Sequence, residues 1–196
     1  MMTELLESNH YLIRKKLIKI LGEKFHIYSD DSQENLIGYS YQKALKLKED
    51  IRVYTDENES EEIIKIKARN ILDLSGEYDF TDSKTGKSLG GIRRNFRKSL
   101  IRDSYSVFDP DNQIYAEIKE DRLFSAIIRR ILPPTKLFFP QEFALDFPGN
   151  PPIRFTQKIN PVIQKLTVDI SEGNQIDPRI ILGAAMVIIA IEGRQG

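Results

Sequence analysis

The chain has 196 residues, 29 Lys plus Arg against 29 Asp plus Glu, and no cysteine. Its length suits one domain with a sizeable core, its zero formal charge gives no global field for nucleic acid, and the missing thiols exclude disulfides, thiol catalysis and Cys-ligated zinc. The opening MMTELLESNH places Glu4 and Glu7 where a signal peptide would be cationic, with no apolar run after them, which predicts a cytoplasmic protein.

From the first strands onward the chain repeats itself. Phe25-His26-Ile27-Tyr28-Ser29-Asp30, Ile51-Arg52-Val53-Tyr54-Thr55-Asp56, Tyr78-Asp79-Phe80-Thr81-Asp82 and Tyr105-Ser106-Val107-Phe108-Asp109 each set alternating apolar residues before an acidic turn. Their first residues, 25, 51, 78 and 105, are 26 or 27 apart. A second anchor keeps the same step: Ile13, Tyr39, Ile66, Ile92 and Ile118, each but Tyr39 followed by a cation. Alternation is the strand period, and Ser29 to Ser32, Asp82 to Lys87 and Asp109 to Asn112 are turn chemistry, so each unit reads as a hairpin. A lone hairpin cannot bury its apolar face; the units must pair into a meander, and closing it removes both edges.

Arg122 to Leu132 breaks the rhythm: Leu123, Phe124, Ile127, Ile128 and Ile131 share a face at helical spacing, which predicts an amphipathic helix ended by Pro133-Pro134. Phe143 to Phe147, Ile153 to Lys158 and Val162 to Ile170 read as further strands. Asp177-Pro178 then opens a helix over 178–192 that is apolar all round. Its twelve apolar residues from Ile180 to Ile191 rise about 18 Å, short of the roughly 30 Å of bilayer hydrocarbon, so a core position is expected. The count predicts a mainly β fold: about twelve strands in a closed antiparallel barrel, too wide for its own side chains to fill and plugged by the C-terminal helix. Deleting residues 177–196 should then abolish folding.

The hairpins Tyr105 to Asn112 with Ile114 to Lys119, and Tyr78 to Asp82 with Gly86 to Arg93, together with the terminal apolar helix, resemble the tubby C-terminal-like superfamily, nearest its LURP-one-related and phospholipid scramblase branches. The resemblance implies a single twelve-stranded barrel domain around a central helix, over nearly the whole chain. It also implies, as an expectation, association with lipid. The scramblases' cysteine-rich and proline-rich stretches are missing, and Asp169, Glu172 and Asp177 offer too few oxygen ligands for calcium.

No nucleophile elbow, Walker A, dinucleotide fingerprint or zinc-protease motif occurs, so a non-enzymatic protein without catalytic residues, cofactor or metal is expected. His10 and His26 read as surface residues, and Gly86 to Gly91 as a hairpin turn. The candidate site is electrostatic. Arg93, Arg94, Arg97, Lys98 and Arg102, with Lys84 and Lys87 on the preceding turn, suit an anionic lipid surface. On the 122–132 helix, Arg122, Phe124, Arg129 and Arg130 are the expected membrane contacts. Two functions compete: a lipid-associated binding module peripheral to the membrane, and a soluble scaffold that binds a protein or small apolar ligand.

Overall fold

The computed structural model describes residues 2–18, 22–43, 50–69, 76–95, 104–120, 141–158 and 163–192. The helix expected at 122–132 lies outside them. A short helix α1 (Met2–Glu7) precedes β1 (His10–Ile18), β2 (Gly22–Tyr28), β3 (Leu36–Lys43), β4 (Asp50–Tyr54), β5 (Glu62–Ala68) and β6 (Glu77–Asp82). Then come β7 (Ser88–Arg94), β8 (Ser104–Phe108), β9 (Ile114–Glu120), β10 (Gln141–Asp146), β11 (Ile153–Lys158), β12 (Ile163–Ile170) and α2 (Pro178–Glu192). Every strand pairs antiparallel with its sequence neighbours, and β12 returns to β1 through Leu166 opposite Ile13 and Val168 opposite Tyr11, closing the barrel.

The repeat has two physical causes. One is an aspartate at the start of alternate turns, whose carboxylate accepts backbone N–H groups further on. Asp56 Oδ1 accepts from Asn58 at 2.8 Å, Asp109 Oδ1 from Asp111 and Gln113 at 2.9 Å each, Asp82 Oδ1 from Lys84 at 3.1 Å, and Asp30 Oδ2 from Asn35 at 3.0 Å. The other is a β-bulge just before each of these turns, at Ile27/Tyr28, Val53/Tyr54, Phe80/Thr81 and Val107/Phe108. Bulges add twist, which curves the sheet toward closure.

Inward side chains form the core. Ile13, Ile66, Ile92 and Ile118 of the second anchor are all fully buried within it. Tyr39 departs from that pattern. It pairs with His26 and Tyr54 and packs edge-on to His26, 5.5 Å between ring centres, so it lies on the outer face. Its neighbour Gly38 faces in; a β-carbon there would stand 3.1 Å from Ile27 and from Leu5.

Helix α2 runs through the interior. Asp177 caps it, accepting from the Arg179 N–H at 2.9 Å through Oδ1, and every residue from Ile181 to Ala190 is buried. Burial on all sides explains the absence of a polar face, and each large side chain contributes about 1.5–3 kcal/mol. Gly183 is required for the fit: a β-carbon there would lie 2.9 Å from the Phe80 ring. At the far end of the helix the fully buried Lys15 reaches from β1, its Nζ 3.5 Å from the Ile189 carbonyl and 3.1 Å from Glu23 Oε1. A cation thus meets the negative end of the helix dipole.

Lys15 belongs to a layer that differs from the rest of the interior. On the neighbouring strands β9 to β12 the inward residues at its level are Glu120, Gln141, Gln157 and Gln164. Across β1 it continues through Glu23 of β2 to Gln42 and Ser40 of β3, all at most 5% exposed.

Candidate functional site

Because each strand reverses the last, the barrel has two ends with different connectors. One end holds residues 2–9 and the connectors 29–35, 55–61, 83–87, 109–113, 147–152 and 171–177, where α2 enters. These carry thirteen carboxylates and two cations. At the other end, where α2 finishes, the last three residues of the twelve strands carry ten cations and six carboxylates. Of the segments that join those strand ends, only residues 69, 76 and 95 are described; by sequence the segments add eleven cations and four carboxylates. Among the described residues, the connectors at the helix entrance are strongly acidic and the opposite strand termini carry a small cationic excess.

The expected basic patch is divided by this topology. Lys84 and Lys87 are exposed on the β6–β7 turn at the acidic end. Arg93 and Arg94 close β7 at the basic end, six residues beyond Lys87, which in a strand is about 20 Å. The expected adjacency therefore fails: turn chemistry ends at Lys87, and Ser88 to Arg94 is strand rather than loop. Arg93 and Arg94 also point to opposite faces. Arg93 pairs with Ser106 on the outside, and Arg94 with the buried Tyr105 on the inside. Arg97, Lys98, Arg102, Arg122, Phe124, Arg129 and Arg130 lie outside the described residues.

Arg93 is engaged. Its Nη2 donates to Glu77 Oε1 at 2.8 Å, which raises the guanidinium pKa against the opposing effect of burial, and its plane lies 5.8 Å from the Phe108 ring. Arg69 covers the same ring at 4.6 Å and binds Glu77 and Asp79 at 2.5 and 2.7 Å. This outer face is an ion-pair network. At the acidic end, Arg179 joins Asp177 to Asp82, whose Oδ2 lies 3.1 Å from Arg179 Nη1. The Thr85 hydroxyl, more than burial opposes it, holds the Asp82 pKa below the ordinary value, helped by Lys84 N–H and Arg179. For Asp177 burial works upward, but the Arg179 hydrogen bonds outweigh it and the net shift is downward.

Both histidines contact carboxylates rather than standing free at the surface. His10 Nδ1 lies 2.8 Å from Asp169 and its Nε2 3.2 Å from Asp31; His26 Nε2 lies 2.6 Å from Glu57. Among the described residues no three His, Cys, Asp or Glu form a metal cluster, and no helix is long and apolar enough to cross a membrane. The polar interior layer escaped the sequence reading. Its signal was glutamine or lysine continuing an inward apolar series, as in Tyr11, Ile13, Lys15 and Ile153, Phe155, Gln157.

A closed twelve-stranded antiparallel barrel around a buried C-terminal helix is the architecture of the tubby-like superfamily. Within it, the sequence model of the LURP-one-related family matches residues 36–189, and the chain belongs to that family. A comparison with curated proteins gives no match.

Proposed function

We propose that this barrel is a non-enzymatic binding module that attaches peripherally to anionic lipid through its basic end. The observation that carries the reading is the charge sorting: the strand termini at one end carry ten cations and six carboxylates, and the connectors at the other carry thirteen carboxylates and two cations. Each Lys or Arg near an anionic surface contributes about 1 kcal/mol, and repulsion of the acidic end orients the molecule. Attachment is by surface charge, since the apolar helix is already buried inside the barrel.

The test is co-sedimentation with vesicles of phosphatidylcholine alone or with added phosphatidylserine. Binding should rise with phosphatidylserine and fall with salt. Changing Arg97, Lys98 and Arg102 together to Gln should abolish it, whereas Lys84→Gln with Lys87→Gln should leave it intact. Absence of binding to both vesicles would sink the proposal and leave a soluble scaffold for a protein partner. A small apolar ligand is disfavoured because the helix occupies the apolar interior.

A further inference from the structure

The polar layer inside the basic end is anomalous on energetic grounds. Elsewhere the inward positions are filled mainly by Ile, Val, Leu, Phe and Tyr, with two charged exceptions, Asp82 at the helix entrance and Arg94, which is engaged, opposite Tyr105 at the basic end. In the layer, Lys15 and Glu23 satisfy each other, and Glu120, Gln141 and Gln164 are engaged. Gln42 and Gln157 are not. Both ends of both carboxamides, and the Ser40 hydroxyl, are fully enclosed yet have no hydrogen-bond partner among the described residues. Each such group left unsatisfied is destabilising, and Leu or Met of similar length would avoid that penalty.

Polar side chains retained against such a penalty mark a place where something else supplies their partners, and barrel mouths are among the usual places for small-molecule sites. We infer that the interior at the basic end is a binding site for a small, uncharged, polyhydroxylated molecule. The chemistry follows from what is unused. Two carboxamides and a hydroxyl offer both donors and acceptors, which matches hydroxyl groups. The adjacent cation is already neutralised: Gln42 stands directly across from Glu23, which holds Lys15. An ionic ligand would meet no free countercharge in that pair. This site is interior and does not depend on the proposed lipid contact.

The experiment uses the full chain with ¹⁵N-labelled glutamine side chains, titrated with myo-inositol and, separately, glycerol. The side-chain amide signals of Gln42 and Gln157 should shift saturably with myo-inositol. Gln42→Leu and Gln157→Leu should each weaken that binding about tenfold, as loss of one enclosed hydrogen-bonding group predicts. If a variant fails to fold, contacts between inositol C–H protons and the Gln amides in the unaltered protein give the same answer. Shifts that do not saturate with either probe, a layer that holds water only, or binding unchanged in both folded variants would overturn the inference. Vesicle binding is read separately, so failure of either idea is distinguishable from failure of the other.

Discussion

At the scale of single residues, Lys15 shows what the closed barrel demands. Its ammonium is fully enclosed, with Glu23 3.1 Å away, the Ile189 carbonyl at 3.5 Å and the centre of the Phe25 ring at 5.8 Å. Lys15→Met would leave the Glu23 carboxylate enclosed without its cation, a loss of about 3–5 kcal/mol, whereas Lys15→Met combined with Glu23→Leu removes both charges and should recover most of it. Urea unfolding of the two variants measures this, and a double variant no more stable than the single one would refute the pairing. The turn aspartates act at the same scale. Asp30, held by Ser32 and the Asn35 N–H, has its pKa driven down to about 2.

The element that organises the molecule is α2 (Pro178–Glu192), and its fit is testable in its body and at its entrance. Gly183→Ala drives a β-carbon into the Phe80 ring, which is itself fully buried, so about 1–3 kcal/mol should be lost. A thermal melt unchanged by the substitution would mean the ring can move aside. At the entrance, Asp82 and Asp177 bind Arg179, and both have folded pKa values below the ordinary one. Their stabilisation is therefore complete above the unfolded value of about 3.9 and disappears as pH falls through the lower folded values. Asp82→Asn should lower stability at neutral pH and flatten the acid limb of the pH–stability curve. An acid limb as steep as in the unaltered protein would remove Asp82 from that account.

For the whole molecule, antiparallel closure converts a neutral composition into a barrel with an acidic and a basic end. The chain contains no cysteine, so single labels are clean. A dye at Lys16→Cys, exposed near the basic end, should be quenched by lipid-borne quencher in phosphatidylserine vesicles, and one at Asp111→Cys, on an acidic-end turn, should not. Equal quenching at both positions would contradict an oriented attachment. The outer Arg69–Glu77–Arg93 network ties β5, β6 and β7 together, so it belongs to the barrel wall more than to any contact surface.

The amino-acid sequence alone determined the hairpin unit, its step of 26 or 27 residues, the strand number and the fully apolar final helix. Those properties are local: alternation, a turn aspartate and a twelve-residue apolar run each act within one element. Only the tertiary structure decided which end each connector occupies, and so separated Lys84 and Lys87 from Arg93 and Arg94. It likewise decided that Tyr39 lies outside and that Gln42 and Gln157 lie inside, because facing depends on register across partner strands and one residue of slip exchanges the two faces. Charge sorting and interior polarity are sums over strands distant in sequence. They come into being when β12 pairs with β1.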